Sequence, residues 1–179
     1  MNLSNLHRTA VFDETDIGNP KSKVLERKLS KVNTTVNVKG VQATVDRNTI
    51  HRFIKDVDLI LDGTDNMKTR FLINDVAIQQ AIPWVYAGLD TTTGMTMGIL
   101  PRKTPCLQCI SQSIPQTTKA VPVMGNLPVI TAGMQCTEAI KLLTGEKPSG
   151  LIIYDTWKQQ CETISINRNP TCQCCGEGQ

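Results

Sequence analysis

Two Cys-x-x-Cys pairs stand out in the 179-residue sequence. Cys106 and Cys109 lie in TPCLQC, and Cys172 and Cys175 lie in NPTCQCCG. A Cys-x-x-Cys knuckle turns two thiolates toward one ion, and a second knuckle completes the tetrahedral set of four that Zn2+ takes. Each pair has a proline just ahead of its first cysteine, which suits tight, preformed turns. Cys109 and Cys172 are separated by 62 residues, more than in a small zinc finger, so the fold has to bring the knuckles together. Four thiolates close the coordination sphere, so such a zinc would stabilise and not catalyse. The competing reading, redox disulfides, is weaker because neither pair sits in a thioredoxin-like strand-to-helix context. Cys174 reads as a bystander inside the second knuckle, Cys136 as core packing on a helix, and Cys161 has no assigned role.

A second feature is the stretch LILDGTDNMKTRFLIND, residues 59–75. The apolar run Leu59–Ile60–Leu61 stops at Asp62, and Gly63, Thr64, Asp65 and Asn66 lead into a helical pattern. In open α/β sheets ligands bind just beyond the C-terminal ends of strands, where Asp62 and Asp65 would stand. Asp65 also precedes a helix, so capping is an equally physical reading, and the residues alone leave both open. Asp62 is either a support for the ligand site or a turn residue. His7 and His51 read as surface residues, His51 lying opposite the apolar face of its helix.

The elements that would position these groups alternate. Residues 19–32 read as a helix with Pro20 in its first turn, 35–45 as extended chain, and 49–57 as a helix with Ile50, Phe53, Ile54 and Val57 on one face. A short buried strand follows at 58–61, a helix at 66–81, a strand at 83–87 and a glycine-interrupted strand at 91–100. A long helix at 128–144 stops at Gly145, and strands at 151–155 and 161–166 end the regular structure. Strand–helix–strand alternation with short apolar strands predicts an α/β fold with a parallel sheet, and the late strands an added antiparallel section.

Composition narrows the function classes. The chain has the length of one domain, 40% apolar residues and 20% charged residues. A net charge of +3 is too mild to argue for nucleic acid. The cluster Lys21, Lys23, Arg27, Lys28 and Lys31, with Glu26 among them, reads as a solvated helix face. No stretch approaches a membrane helix, no signal-peptide pattern opens the chain, and seven cysteines fit poorly with a secreted disulfide framework. A cytoplasmic protein is expected, without nucleic-acid or membrane partners.

In order along the chain, SNLHR (4–8), GNPK (18–21), LDGTDNMKTRFLIND (61–75) and the paired knuckles resemble the ThiF/MoeB/HesA family, bacterial relatives of ubiquitin-activating enzymes. EAIKLLTG (138–145) and LIIYDTW (151–157) fit that family's later helix and strand. The resemblance implies a single partial ThiF-type domain over residues 1–179. Its fold would be a Rossmann-like, mostly parallel sheet with an antiparallel section and a zinc site of four cysteines. It implies ATP-dependent adenylation of the C-terminal glycine of a ubiquitin-like sulfur carrier ending in Gly-Gly, for molybdopterin or thiamine synthesis, by a homodimer. Arg8 and Lys21 would meet the phosphate charge, and Asn5 would hold a phosphate or the metal shell. Asp65 would act through Mg2+, and Asn66 beside it and Arg70 one turn into the helix would bind the cofactor with it. Ser4, Leu6 and His7 complete the nucleotide-binding segment.

The sequence also departs from that family. No GxGxxG loop occurs, and Met1 falls only three residues before SNLHR, so a βαβ unit of roughly 30 residues is expected to be missing. The chain is then either a truncated form of a longer enzyme or a naturally short, split or degenerate one. A non-catalytic zinc-stabilised module that keeps a carrier-docking surface is the alternative from another class. A nicotinamide-linked oxidoreductase is disfavoured by the absent glycine fingerprint. After the first knuckle, where many family members carry a cysteine that links covalently to the carrier, this chain reads SIPQTTKAVPVMGNLP (113–128), with Thr118 or a neighbour at that position. Threonine forms neither the acyl-disulfide nor the thioester that cysteine does. Adenylation is therefore expected to proceed without a covalent enzyme–carrier intermediate. Mass spectrometry after turnover should find no carrier adduct on any cysteine of the chain, and an adduct would contradict this.

Overall fold

The computed structural model describes residues 1–111 and 122–176, so Thr118 and most of the segment after the first knuckle lie outside the described residues. The chain divides into two compact units, Met1–Thr44 and Val45–Gln179.

The first unit has two short 3-10 turns, Leu3–Arg8 and Glu14–Asp16, and helix α1 (Lys21–Val32). Pro20 stands at the N-cap of α1, where its missing N–H costs nothing. A capping box closes the second turn: Asp13 accepts from Thr15 N, and Asp16 accepts from Asp13 N at 3.0 Å. Asp16 has no solvent exposure and is held by Arg27 at 2.8 Å and by Lys28. Lys28 also reaches Asp13 at 2.7 Å, and its ammonium holds the Asp13 carboxyl down at about 2. The basic run on α1 is therefore only partly a solvated face, since Arg27 and Lys28 anchor the preceding turn. Residues 35–45 enter no ladder among the described residues. At Gly40 this stretch approaches α1 closely: a Cβ there would stand 2.1 Å from the Ser22 carbonyl oxygen, so only glycine fits.

The second unit carries α2 (Ile50–Phe53), β1 (Ile60–Leu61), α3 (Met67–Gln79), β2 (Trp84–Asp90), β3 (Thr93–Ile99), α4 (Leu107–Ile110), α5 (Leu127–Leu143), β4 (Leu151–Asp155) and β5 (Gln160–Ile164). α2 is one turn where a longer helix was expected, and Asp56 shortly after it adopts φ 59°, which a right-handed helix cannot continue. α5 ends as its sequence predicts: Gly145 takes φ 81° and bonds back to Leu142, and Glu146 N bonds to Lys141.

The five strands lie in the order β1-β2-β3-β4-β5. β1 and β2 are parallel, with Ile60 opposite Trp84, and α3 is the crossover that such a pair requires. β2–β3, β3–β4 and β4–β5 are antiparallel, so the added antiparallel section makes up most of the ladder among the described residues. For β2–β3 the reason is local: only Thr91 and Thr92 join the two strands, too few for a crossover. One face of the sheet buries Trp84, Tyr86, Met97 and Ile99 against Ile73 and Ala77 of α3 and Leu107 and Ile110 of α4. On the other face Val85 packs with Ala139 and Leu142 of α5. Among the described residues no helix is long and apolar enough to cross a membrane.

Candidate functional site

The C-terminal end of β1 is built around Asp62, which is 3% exposed. Its Oδ1 accepts from Thr64 N at 2.8 Å and from the Thr64 hydroxyl at 2.7 Å, closing an Asx turn directly after the strand. Its Oδ2 accepts from Arg70 Nε at 3.0 Å. Arg70 also donates from Nη2 to the Thr64 carbonyl at 2.6 Å and lies over the Tyr86 ring at 5.5 Å. Asp62 is thus both turn residue and support, and Arg70 braces the loop between β1 and α3.

Asp65 does not cap α3. The N-cap is Asn66, whose side chain accepts from Thr69 N at 2.9 Å. Asp65 remains exposed at the strand end, where its Oδ1 accepts one long hydrogen bond from Asn66 Nδ2 at 3.3 Å. The capping reading of Asp65 falls because Asn66 takes that place, which leaves the Asp65 carboxylate available to a ligand. Gln135 on α5 is a support that sequence reading missed: its Nε2 donates to the carbonyls of Asp62 at 2.9 Å and Val85 at 3.0 Å, tying the ends of the parallel pair to that helix.

The cysteines of the two knuckles meet. The sulfurs of Cys106, Cys109, Cys172 and Cys175 all lie within 4.8 Å of one another. The pairs 106–109, 106–172 and 109–175 stand at 4.0, 3.7 and 3.4 Å, with no disulfide among them. Four thiolates about 2.3 Å from one zinc would be about 3.8 Å apart, so the donor set fits a tetrahedral ion. The Cys174 side chain and burial push the Cys106 thiol well above its ordinary value. Burial and the neighbouring thiol of Cys109 do the same to Cys175. At Cys172 burial pushes upward, but the backbone N–H groups of Cys175 and Cys174 and the nearby thiols outweigh it, and the thiol is lowered. A metal ion takes such cysteines as thiolates, so its binding releases their protons.

One cysteine departs from the sequence reading: Cys136 is exposed on α5, because the buried face of that helix falls on Thr131, Gln135, Glu138, Ala139 and Leu142. Cys174 stays outside the set of four sulfurs, as expected, and its sulfur accepts from Asn74 Nδ2 at 3.0 Å. In the first unit, Ser4, Asn5, Leu6, His7 and Arg8 form one 3-10 turn, with Arg8 Nη1 donating to the Ser4 carbonyl at 3.0 Å and His7 Nδ1 lying 3.1 Å from the same oxygen. Lys21 is exposed as the first residue of α1 and has no ion pair among the described residues.

Known proteins resemble the chain over nearly its whole length. The family model described as "ThiF family" matches residues 1–174. The sulfur carrier protein ThiS adenylyltransferase of Bacillus subtilis is 32% identical over 97% of this chain and 54% of its own length. The SAMP-activating enzyme E1 of Haloferax volcanii is 35% identical over 98% of the chain and 67% of its own length. The molybdopterin-synthase adenylyltransferase of Escherichia coli is 29% identical over 99% and 74%. The chain therefore spans about half to three quarters of these relatives' lengths. A crystal structure of E. coli MccB with MccA-N7isoAsn matches with a TM-score of 0.86 at 18% identity, over 99% of this chain and 57% of that one, a likeness of fold.

The brace at β1 gives a direct test. Arg70→Ala leaves the Asp62 carboxylate buried without its cation, and should lower unfolding stability by about 3–5 kcal/mol in urea melts. Pairing it with Asp62→Asn should recover part of that loss. Additive losses in the double variant would contradict the ion pair.

Proposed function

The chain belongs to the ThiF family, and from that membership we propose that it carries the chemistry of an ATP-dependent adenylyltransferase acting on the C-terminal glycine of a ubiquitin-like sulfur-carrier protein. The observation that carries this reading is the Asp65 carboxylate, exposed beyond the C-terminal end of β1 and relieved of capping by Asn66. In the reaction a carboxylate oxygen of the carrier's last glycine attacks the α-phosphorus of ATP. The bond from that phosphorus to the bridging oxygen breaks, and pyrophosphate leaves with the electron pair. The product is an acyl-adenylate, open to attack by a sulfur nucleophile.

This chain's residues would bind and orient. Asp65 is the ligand for Mg2+, a hard ion that takes carboxylate and phosphate oxygens and offsets the charge of the triphosphate. Arg70, bonded to Asp62 and to the Thr64 carbonyl, sets the position of the Asp65 loop and belongs to the same nucleotide-binding set. In the first unit Arg8 and Lys21 are the cations for phosphate, with Asn5 as a polar partner and Ser4, Leu6 and His7 shaping the same turn. Cys106, Cys109, Cys172 and Cys175 would hold a structural Zn2+. A homodimer belongs to the same proposal. The relatives' names include both ThiS and molybdopterin synthase, and the proposal covers a carrier of either type.

ATP–pyrophosphate exchange with a Gly-Gly-ended carrier tests this reading against the alternative, a zinc-stabilised module that binds the carrier without activating it. Carrier-dependent exchange that falls about 10²–10³-fold in Asp65→Asn supports adenylation. Carrier binding without exchange supports the module, and equal exchange in Asp65→Asn would remove that residue from the proposal.

A further inference from the structure

The second knuckle, Cys172-Gln173-Cys174-Cys175, offers three sulfurs where a tetrahedral site shared with Cys106 and Cys109 has room for two. Something must decide which sulfur stays out. Asn74, on α3, has no solvent exposure and stands between the two knuckles. Its Oδ1 accepts from Leu107 N of the first knuckle at 2.9 Å, and its Nδ2 donates to Cys174 Sγ of the second at 3.0 Å. Hydrogen-bonding chemistry fixes the orientation of the amide. A backbone N–H only donates, so Oδ1 must face Leu107, and the NH2 that remains donates to the sulfur at 3.0 Å and, at a longer 3.5 Å, to Asp75 Oδ1. The Cys174 sulfur is thereby tied to α3 at the edge of the cluster, next to Cys106, and stays outside the set of four sulfurs that converge. Cys174 also borders a polar cleft of about 270 Å3, with Asp75, Gln79, Gln108 and Gln173.

We propose that Asn74 is a positioning residue that sorts the cysteines of the metal centre, holding Cys174 outside the coordination sphere while it fixes the backbone of the first knuckle. The inference rests on the reading of the four cysteines as a metal site. It deepens that reading by making the ligand set a choice imposed by α3, not by Cys-x-x-Cys spacing alone. Outer hydrogen bonds of this kind commonly change metal affinity about 10–100-fold when removed.

The test is the visible spectrum of the Co2+-loaded chain, which reports how many thiolates bind. Wild type and Cys174→Ser should both show a four-thiolate spectrum, because serine accepts the Asn74 hydrogen bond and no ligand is lost. Cys172→Ser should fall to three thiolates, since Asn74 keeps Cys174 from filling the vacancy. Asn74→Ala in the Cys172→Ser background should restore the fourth, and Asn74→Ala alone should release metal to a chelator about 10-fold faster or more. Should the Asn74 variants fail to fold, the two cysteine variants decide. Loss of a thiolate in Cys174→Ser, or four retained in Cys172→Ser, overturns the sorting. A wild-type chain that takes up no Co2+ overturns the metal centre itself, an outcome distinct from both.

Discussion

One face of α3 holds the functional end of the second unit together. Arg70 and Asn74 are four residues apart, so they project from the same side of the helix. Arg70 is committed to the buried Asp62 and to the Thr64 carbonyl, and Asn74 to Leu107 N and Cys174 Sγ. Desolvating a carboxylate costs several kcal/mol unless a partner offsets it, so Asp62 and Arg70 have little freedom to separate. The loop that presents Asp65 and the cluster of four cysteines are therefore both referenced to one rigid helix, although they share no ligand.

Gln135 completes the frame from the other side of the sheet. By bonding the carbonyls at the ends of the parallel pair, it ties the strand end carrying Asp62 to α5. Along the same helix the buried Glu138 accepts from Lys141 and from Ser149 N and Oγ, which fixes the approach to β4. These buried polar groups are satisfied by more than one partner each, the condition under which they rigidify a fold instead of weakening it.

Most of this frame was legible as pattern and little of it as contact. Periodicity located α3, α5 and the strands to within a few residues, and Gly145 announced the end of α5. The spacing of the cysteines was enough to expect a four-sulfur cluster. What the pattern could not carry was the destination of single polar side chains. Asp65 and Asn66 are adjacent and both suit an N-cap, and the choice depends on which backbone turns outward. Asn74 and Gln135 sit inside helices whose apolar spacing makes them look like ordinary polar positions, and only the tertiary fold shows that they are buried. Cys136 was misplaced for the converse reason, because sulfur counts as apolar while the helix turns it outward. Residues 35–45 had the composition of a strand, but strand composition describes a fit to a neighbouring strand, and none stands beside them among the described residues.

The cysteine cluster explains how the second knuckle is held to the first across the long stretch of chain between them. Its thiols are buried, close together and mostly driven upward in pKa, a state that a divalent cation relieves by replacing protons with one shared charge. Metal analysis of freshly purified chain, never exposed to chelator, tests that centre most directly. Close to one zinc per chain is the expected result. A content well below one, with the four cysteines reduced and reactive, would contradict it.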